Sequence, residues 1–405
     1  MKFKEKFMKG MTLAVLAALG MSTNSNAGEF VTYKDQPVIH GEYIIVFSSD
    51  AAKAATAEGA ISKLTARGNA KINQRWQTAL HGIAISNIDE ATAREIAATS
   101  GVESVSQNAI LYPSVVQTNA PSQLDRIDQY NLPTDNKYTY TYQGTGVNAY
   151  IIDGAIRTSH NDFRPPGNPS GPSRATNDVD IVGGGFAPER HGTLVASVVG
   201  GIISGVAKDV RIHGVKVANG QGIGSRAWLL GGIDWVARNG TRPAVVNISW
   251  NWGPDATMKA AVESLVTAGF FVSVSAGNSD GDACTDSIAG ANGVYTVAGM
   301  TDADENWNFQ FSSGATKTGP CVSAYARVIA TGASYLADNS YTTDAGTSFS
   351  APIASGVAAQ VLQIFPGVLP SVVNSELNSQ AITNKVIGIP AVPAGTPNRI
   401  LKVWP

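Results

Sequence analysis

Four polar residues stand where an alternating α/β chain would expose them, and together they could carry out acyl transfer. Asp153 closes the apolar run Ala149-Tyr150-Ile151-Ile152. A carboxylate at such a strand end can accept a hydrogen bond from an imidazole while staying partly buried. His191 opens His191-Gly192-Thr193-Leu194-Val195-Ala196-Ser197, whose small residues would let a helix pack closely while the ring projects into a cleft. Ser348 lies in Gly346-Thr347-Ser348-Phe349-Ser350-Ala351-Pro352, at the start of an apolar helical stretch. Free N–H groups and the helix dipole favour negative charge there, so attack by the Ser348 hydroxyl would form its oxyanion in a suitable place. Asn278, in Ser275-Ala276-Gly277-Asn278, closes another strand and could supply a second donor. Each has an ordinary alternative as a turn aspartate, an N-cap serine or a turn asparagine. The order Asp…His…Asn…Ser is not required by a fold, and Asp…His…Ser is a recognised order for a serine nucleophile served by a histidine. The other histidines after Pro121 read differently. His213 falls inside a strand as core, and His160 follows the turn-like Arg157-Thr158-Ser159 as a structural or exposed residue.

The elements that must position these residues alternate. Strands are predicted at 147–152, 210–217, 244–250, 270–276 and 294–299, and helices at 191–199, 226–238, 256–268 and 348–364. This pattern implies an α/β unit with a mostly parallel, doubly wound sheet and helices on both faces. Ligands bind beyond the carboxyl ends of such strands. A smaller unit precedes it: strand 42–47, helix 51–66 with Ile61 and Leu64 on one side, strands 72–77 and 81–88, helix 89–99 and strand 102–107. Asp89 and Glu90 in the first turn of the second helix complement its dipole. The order β-α-β-β-α-β is the split, ferredoxin-like α+β pattern. It ends at Tyr112-Pro113-Ser114, and a polar, Pro-containing linker runs to Pro121.

Composition excludes several classes. The chain has 405 residues, 42 of them Gly, with 43% hydrophobic, 15% charged and two Cys. It is too apolar for a disordered chain, its Gly lacks a three-residue period, and two Cys cannot make a disulfide framework. A net charge of -2 gives no electrostatic reason for a nucleic-acid partner. Lys2, Lys4, Lys6 and Lys9, the apolar run from Met11 to Met21, and Ser25-Asn26-Ala27 form the three regions of a secretory signal, with cleavage after Ala27. That run is too short for a membrane anchor. Export favours pairing of Cys284 with Cys321, worth about 4 kcal/mol in the chain-entropy model. Gly220-Gln221-Gly222-Ile223-Gly224 suggests a dinucleotide loop, but Ser225 takes the place of the third glycine. Asn247-Ile248-Ser249 is formally a glycosylation sequon but sits in a predicted buried strand.

These motifs resemble those of the subtilisin-like serine peptidases, most closely the proteinase K and aqualysin branch. Residues 144–153 are similar to the family's first catalytic strand, and Asn119-Ala120-Pro121 with 124–129 to the branch's mature N-terminus. His191-Gly192-Thr193, Gly346-Thr347-Ser348 and Ala276-Gly277-Asn278 are similar to the His, Ser and oxyanion motifs. Cys284 and Cys321 sit where the branch often has a bonded pair, and residues 395–401 resemble its catalytic-domain terminus, so no C-terminal extension is expected.

The resemblance implies a secreted serine endopeptidase with signal peptide 1–27, inhibitory propeptide 28–114 and catalytic domain 115–405, processed near Ser114–Val115. Ser348 would be the nucleophile, His191 the general base and then acid, and Asp153 the holder of the imidazolium. Asn278 and the Ser348 N–H would bind the oxyanion. Ser249, Trp250, Asn251 and Gly277 would bind substrate, with the strand ending Asn247-Ile248-Ser249 pairing as in β-strand addition. The partners implied are protein or peptide substrates and the chain's own propeptide, as chaperone and inhibitor of a monomer. No cofactor is needed for the chemistry. Structural calcium on loops would draw on Asp282, Asp302 and Asp304.

Three departures from the family stand out. Gly154-Ala155 follows Asp153 where Ser or Thr and then Gly is usual, which bears on how Asp153 is seated. Arg190 replaces a Gly before His191, and Leu194 replaces a common second His, as packing. The usual Ser-Leu-Gly-Gly is Ser249-Trp250-Asn251-Trp252, with Gly253 only afterwards, which predicts a reshaped S1/S4 region and narrowed specificity. The same departures support a rival reading, a catalytically weakened homologue that binds peptides. Intact Asp153, His191, Asn278 and Ser348 count against it.

Overall fold

Alternation of apolar residues decides which faces of each sheet are covered, and the computed structural model shows the outcome for residues 28–33, 38–67, 69–109, 114–308, 314–390 and 393–403. The chain divides into two compact units between Leu111 and Tyr112. The predicted leader 1–27, the stretch 110–113 and the side chain of Leu64 lie outside the described residues.

The first unit contains β1 (Glu29–Val31), β2 (Val38–Phe47), α1 (Ala51–Arg67), β3 (Lys71–Trp76), β4 (Gly82–Ser86), α2 (Glu90–Ala97) and β5 (Val102–Ala109). Its sheet runs β1-β5-β2-β4-β3, antiparallel except for β1 beside β5. Tyr43, Ile45 and Phe47 alternate onto one face of β2 and pack with Ala54, Ala57 and Ile61 of α1 and with Ala93 and Ile96 of α2. Asp89 caps α2 through Thr92 N at 2.8 Å.

The second unit contains β6 (Val115–Thr118), α3 (Ser122–Asp125), β7 (Lys137–Tyr140), β8 (Asn148–Asp153), β9 (Ala175–Asp180), α4 (Arg190–Gly200), β10 (Arg211–Lys216) and α5 (Arg226–Asn239). There follow β11 (Ala244–Ile248), α6 (Ala256–Thr267), β12 (Phe271–Ser275), β13 (Tyr295–Met300), β14 (Val322–Arg327), β15 (Ile329–Ala333) and β16 (Tyr341–Ala345). The unit ends with α7 (Thr347–Ile364), α8 (Pro370–Gln380), β17 (Ile382–Thr383) and β18 (Arg399–Ile400). Its main sheet has the order β17-β18-β14-β13-β12-β11-β8-β10-β9 and is parallel except for β17 against β18. This is the expected mostly parallel α/β architecture.

The central strand β8 shows why helices cover both faces. Ala149 and Ile151 point to one side, among Leu194 and Val198 of α4 and Ile353 and Val357 of α7. Tyr150 and Ile152 point to the other, among Leu229 and Ile233 of α5 and Met258 and Val262 of α6. The predicted strand 244–250 stops at Ile248, so Ser249 and Trp250 lie just beyond the sheet.

Candidate active site

After β8 the chain builds β9 and β10 on one side of it and later β11 on the other, which makes β8 the switch point where a crevice opens at the strand ends. Asp153, its last residue, has only 1% of its side chain exposed. His191, in the first turn of α4, places Nδ1 2.9 and 3.0 Å from the two Asp153 oxygens. Donation of Nδ1–H to a carboxylate leaves Nε2 as the basic nitrogen of a neutral ring. Burial pulls the His191 pKa down, but the Asp153 charge and hydrogen bond, with Glu189 and Asp344, outweigh it and leave it above the ordinary 6.5.

The start of α4 accounts for the residues around Asp153. Glu189 is the N-cap, and its Oε2 accepts from Gly192 N at 2.9 Å. A Cβ on Gly154 would stand 2.3 Å from that oxygen, and one on Gly192 would stand 2.2 Å from Gly154 O. Gly154 therefore leaves the volume that Glu189 fills, which gives the Gly154-Ala155 departure a physical reason. Arg190 pairs with Asp344 at 2.9 Å, and Leu194 is fully buried.

Ser348 lies in the first turn of α7, where its backbone N–H has no acceptor within the helix. Pro352 has no N–H to offer the Ser348 carbonyl four residues back. Ser249 Oγ takes that place, donating to Ser348 O at 2.7 Å, and is itself held by Asn247 Nδ2 at 2.9 Å. The end of β11 is thus tied to the start of α7. The Ser348 hydroxyl donates to Ser249 O at 3.5 Å and makes no hydrogen bond to His191. The His191 ring rests 5.5 Å from the Phe349 ring.

Asn278 follows β12, and its Oδ1 accepts from Thr347 N at 2.9 Å and Thr347 Oγ1 at 2.7 Å. Those bonds identify the oxygen and leave Nδ2 as an uncommitted donor. The same Thr347 hydroxyl accepts from Gly277 N at 3.1 Å. Gly277 has φ +111°, and a Cβ there would meet the Lys317 stem at 2.9 Å.

Ser249 and Trp250 border a cavity of about 170 Å³ together with Asp153, Glu189, His191 and Gly222. Asn251 instead turns its amide onto Ser275 O at 3.0 Å, and Trp252 N donates to Asp286 Oδ2 at 3.0 Å. Neither Asn251 nor Trp252 has a positive φ, so the backbone there does not require glycine. Cys284 and Cys321 form a disulfide with Cα atoms 5.4 Å apart. His160 is buried between Asp162 N and Ser340 O, and His213 binds Asp178 and Asn148.

Calcium binding is not shown at the three candidate aspartates. Asp304 makes a two-point ion pair with Arg126, Asp302 lies 3.2 Å from Arg327 Nε, and Asp282 caps Cys284 N. Each of the three has a partner within the chain, and among the described residues no group of three or more His, Cys, Asp or Glu could hold a metal ion. Residue reading missed Glu189 and Lys317, and assigned no role to Thr347. The capping position before α4 could have pointed to Glu189, whereas Thr347 meets Asn278 across 69 residues of sequence.

Residues 144–396 match the Subtilase family. The chain belongs to the subtilase family. It is a serine-type endopeptidase with the α/β fold of its relatives. This subtilase is 34% identical to an extracellular serine proteinase of Thermus sp. (strain Rt41A) over 370 residues, covering 86% of each. It is 31% identical to alkaline serine exoprotease A of Vibrio alginolyticus over 393 residues, 94% of this chain and 71% of the relative. A cold-adapted subtilisin-like serine proteinase of known crystal structure is 36% identical with a TM-score of 0.64, covering 71% of this chain and 100% of that one. No helix among the described residues of this subtilase is long and apolar enough to cross a membrane.

Proposed function

We propose that this subtilase is a secreted endopeptidase of the proteinase K and aqualysin branch that cleaves proteins through an acyl-enzyme on Ser348. Nε2 of His191 takes the Ser348 proton as the hydroxyl attacks the scissile carbonyl, and Asp153 stabilises the imidazolium. The oxyanion lies between Asn278 Nδ2 and the Ser348 N–H. His191 then gives the proton to the leaving amine, and a water, deprotonated by the same nitrogen, releases the acid. The observation that carries the reading is the buried Asp153 carboxylate on Nδ1 of His191, beside the first turn of α7 that bears Ser348 with its N–H free of any acceptor in the helix. Serine rotates about a single bond, and base–nucleophile hydrogen bonds are often long before substrate binds. Substrate would pair along residues 249–251, with Gly277 beside the attacked carbonyl.

The precursor comprises a signal peptide (1–27), an inhibitory, chaperone-like propeptide (28–114) and a catalytic domain (115–405) that works as a monomer. The 3.5 Å bond from Ser348 to Ser249 O, in place of one to His191, favours a second reading, a weakened homologue that binds peptides. Expression of the full chain and its Ser348→Ala variant separates the two. Wild type should cleave itself near Ser114–Val115 while the variant stays intact; equal processing of both would refute the peptidase reading.

A further inference from the structure

The cavity beside His191 carries a charge that the triad does not use. Two of its lining residues, Asp153 and Glu189, are carboxylates, and none is Lys or Arg. Both Asp153 oxygens face His191 Nδ1, and one also accepts from Gly154 N at 2.7 Å. Glu189 is only 7% exposed, and its Oε2 is taken by Gly192 N. Its Oε1 makes no hydrogen bond among the described residues and faces Gly222, where a Cβ would stand 3.2 Å away. Arg190, next in the chain, is engaged by Asp344. Glu189 Oε1 is not one of the buried polar atoms left unsatisfied, so it faces the open cavity, where a cationic side chain with its own N–H groups can bind it.

The remaining walls suit a long side chain. Trp250 lines the cavity and gives it apolar ring surface against which a methylene stem can pack. A volume near 170 Å³ is small for a separate ligand and suits one side chain. Side chains of an extended peptide alternate between faces. If the residue with the scissile carbonyl turns its side chain toward Gly277, the residue before it turns toward His191 and Glu189.

Resting on the peptidase reading, we infer that Glu189 makes this subtilase select lysine or arginine at the residue preceding the one whose carbonyl is attacked. The test uses two peptides that differ only in lysine or norleucine at that position. Glu189→Gln keeps an oxygen for Gly192 N, so it changes charge without removing the cap. The processed wild type should favour lysine by about tenfold or more in kcat/KM, as expected for a hydrogen bond to a charged group. In Glu189→Gln the ratio should fall to about one. Equal rates in wild type, or a preference that survives in Glu189→Gln, would overturn the inference and leave the peptidase reading intact. If the wild-type chain neither processes itself nor cleaves either peptide, the peptidase reading fails, and equilibrium binding of the same pair to the wild-type chain decides the selectivity.

Discussion

Thr347→Val removes one hydroxyl and preserves shape, so it tests how the proposed oxyanion donor is held. That hydroxyl accepts from Gly277 N at 3.1 Å and donates to Asn278 Oδ1 at 2.7 Å, while Thr347 N holds the same oxygen at 2.9 Å. The variant loses one of two bonds that orient the amide and leaves a buried N–H unpaired. The unpaired group should lower stability by about 1–3 kcal/mol. Removing an oxyanion donor outright lowers kcat by about 100- to 1000-fold, so Asn278→Ala should fall in that range. An amide held by one bond instead of two should lose part of this, about tenfold in kcat with KM unchanged, because the contact forms only in the transition state. The assay is kcat and KM for both single variants and the double variant on one peptide substrate. Thr347 acts through Asn278, so the double variant should be no slower than Asn278→Ala alone. Losses that multiply, or an unchanged kcat in Thr347→Val, would refute the reasoning.

Two further predictions concern stability. Asp304→Asn leaves the fully buried Arg126 guanidinium without its counter-charge and should cost about 3–5 kcal/mol in urea unfolding; a loss below about 1 kcal/mol would show that the pair is dispensable. Burial pushes the Asp128 carboxyl from 3.8 up to about 6. A raised value means that the ionised form opposes folding: its favourable contribution is complete below 3.8 and is lost as pH rises through about 6. The shift corresponds to about 3 kcal/mol, reduced to about 1–2 by partial exposure. In chelator-treated buffer Asp128→Asn should therefore be the more stable protein at about pH 8 but not at about pH 3, and a parallel pair of pH curves would contradict this.

The main strands and helices were legible because their residues repeat with the period of the element. Strand β8 reads as continuously apolar because both of its faces are covered, and α7 because it is buried throughout. Elements without that signal were missed. Strand β9 (ATNDVD) pairs along one edge only and is largely polar, and the β15–β16 hairpin carries Thr331 and Thr343 on its outer side. Asp153, His191, Asn278 and Ser348 were visible because parallel topology brings strand ends and helix starts to one rim. Thr347, Glu189 and the Ser249–Ser348 bond depend on approaches between distant segments, which local sequence does not report.

The junction of Gly154 with Glu189 also constrains how this chain can change. A side chain at 154 has no room while Glu189 stands 2.3 Å from where its Cβ would be. Shortening Glu189 first removes the acceptor from Gly192 N and opens a void beside Asp153. Either single step passes through a poorer intermediate, whereas the exchange of both together does not. The two positions are therefore sterically coupled, and anyone grafting a serine or threonine after Asp153 must redesign residue 189 in the same step.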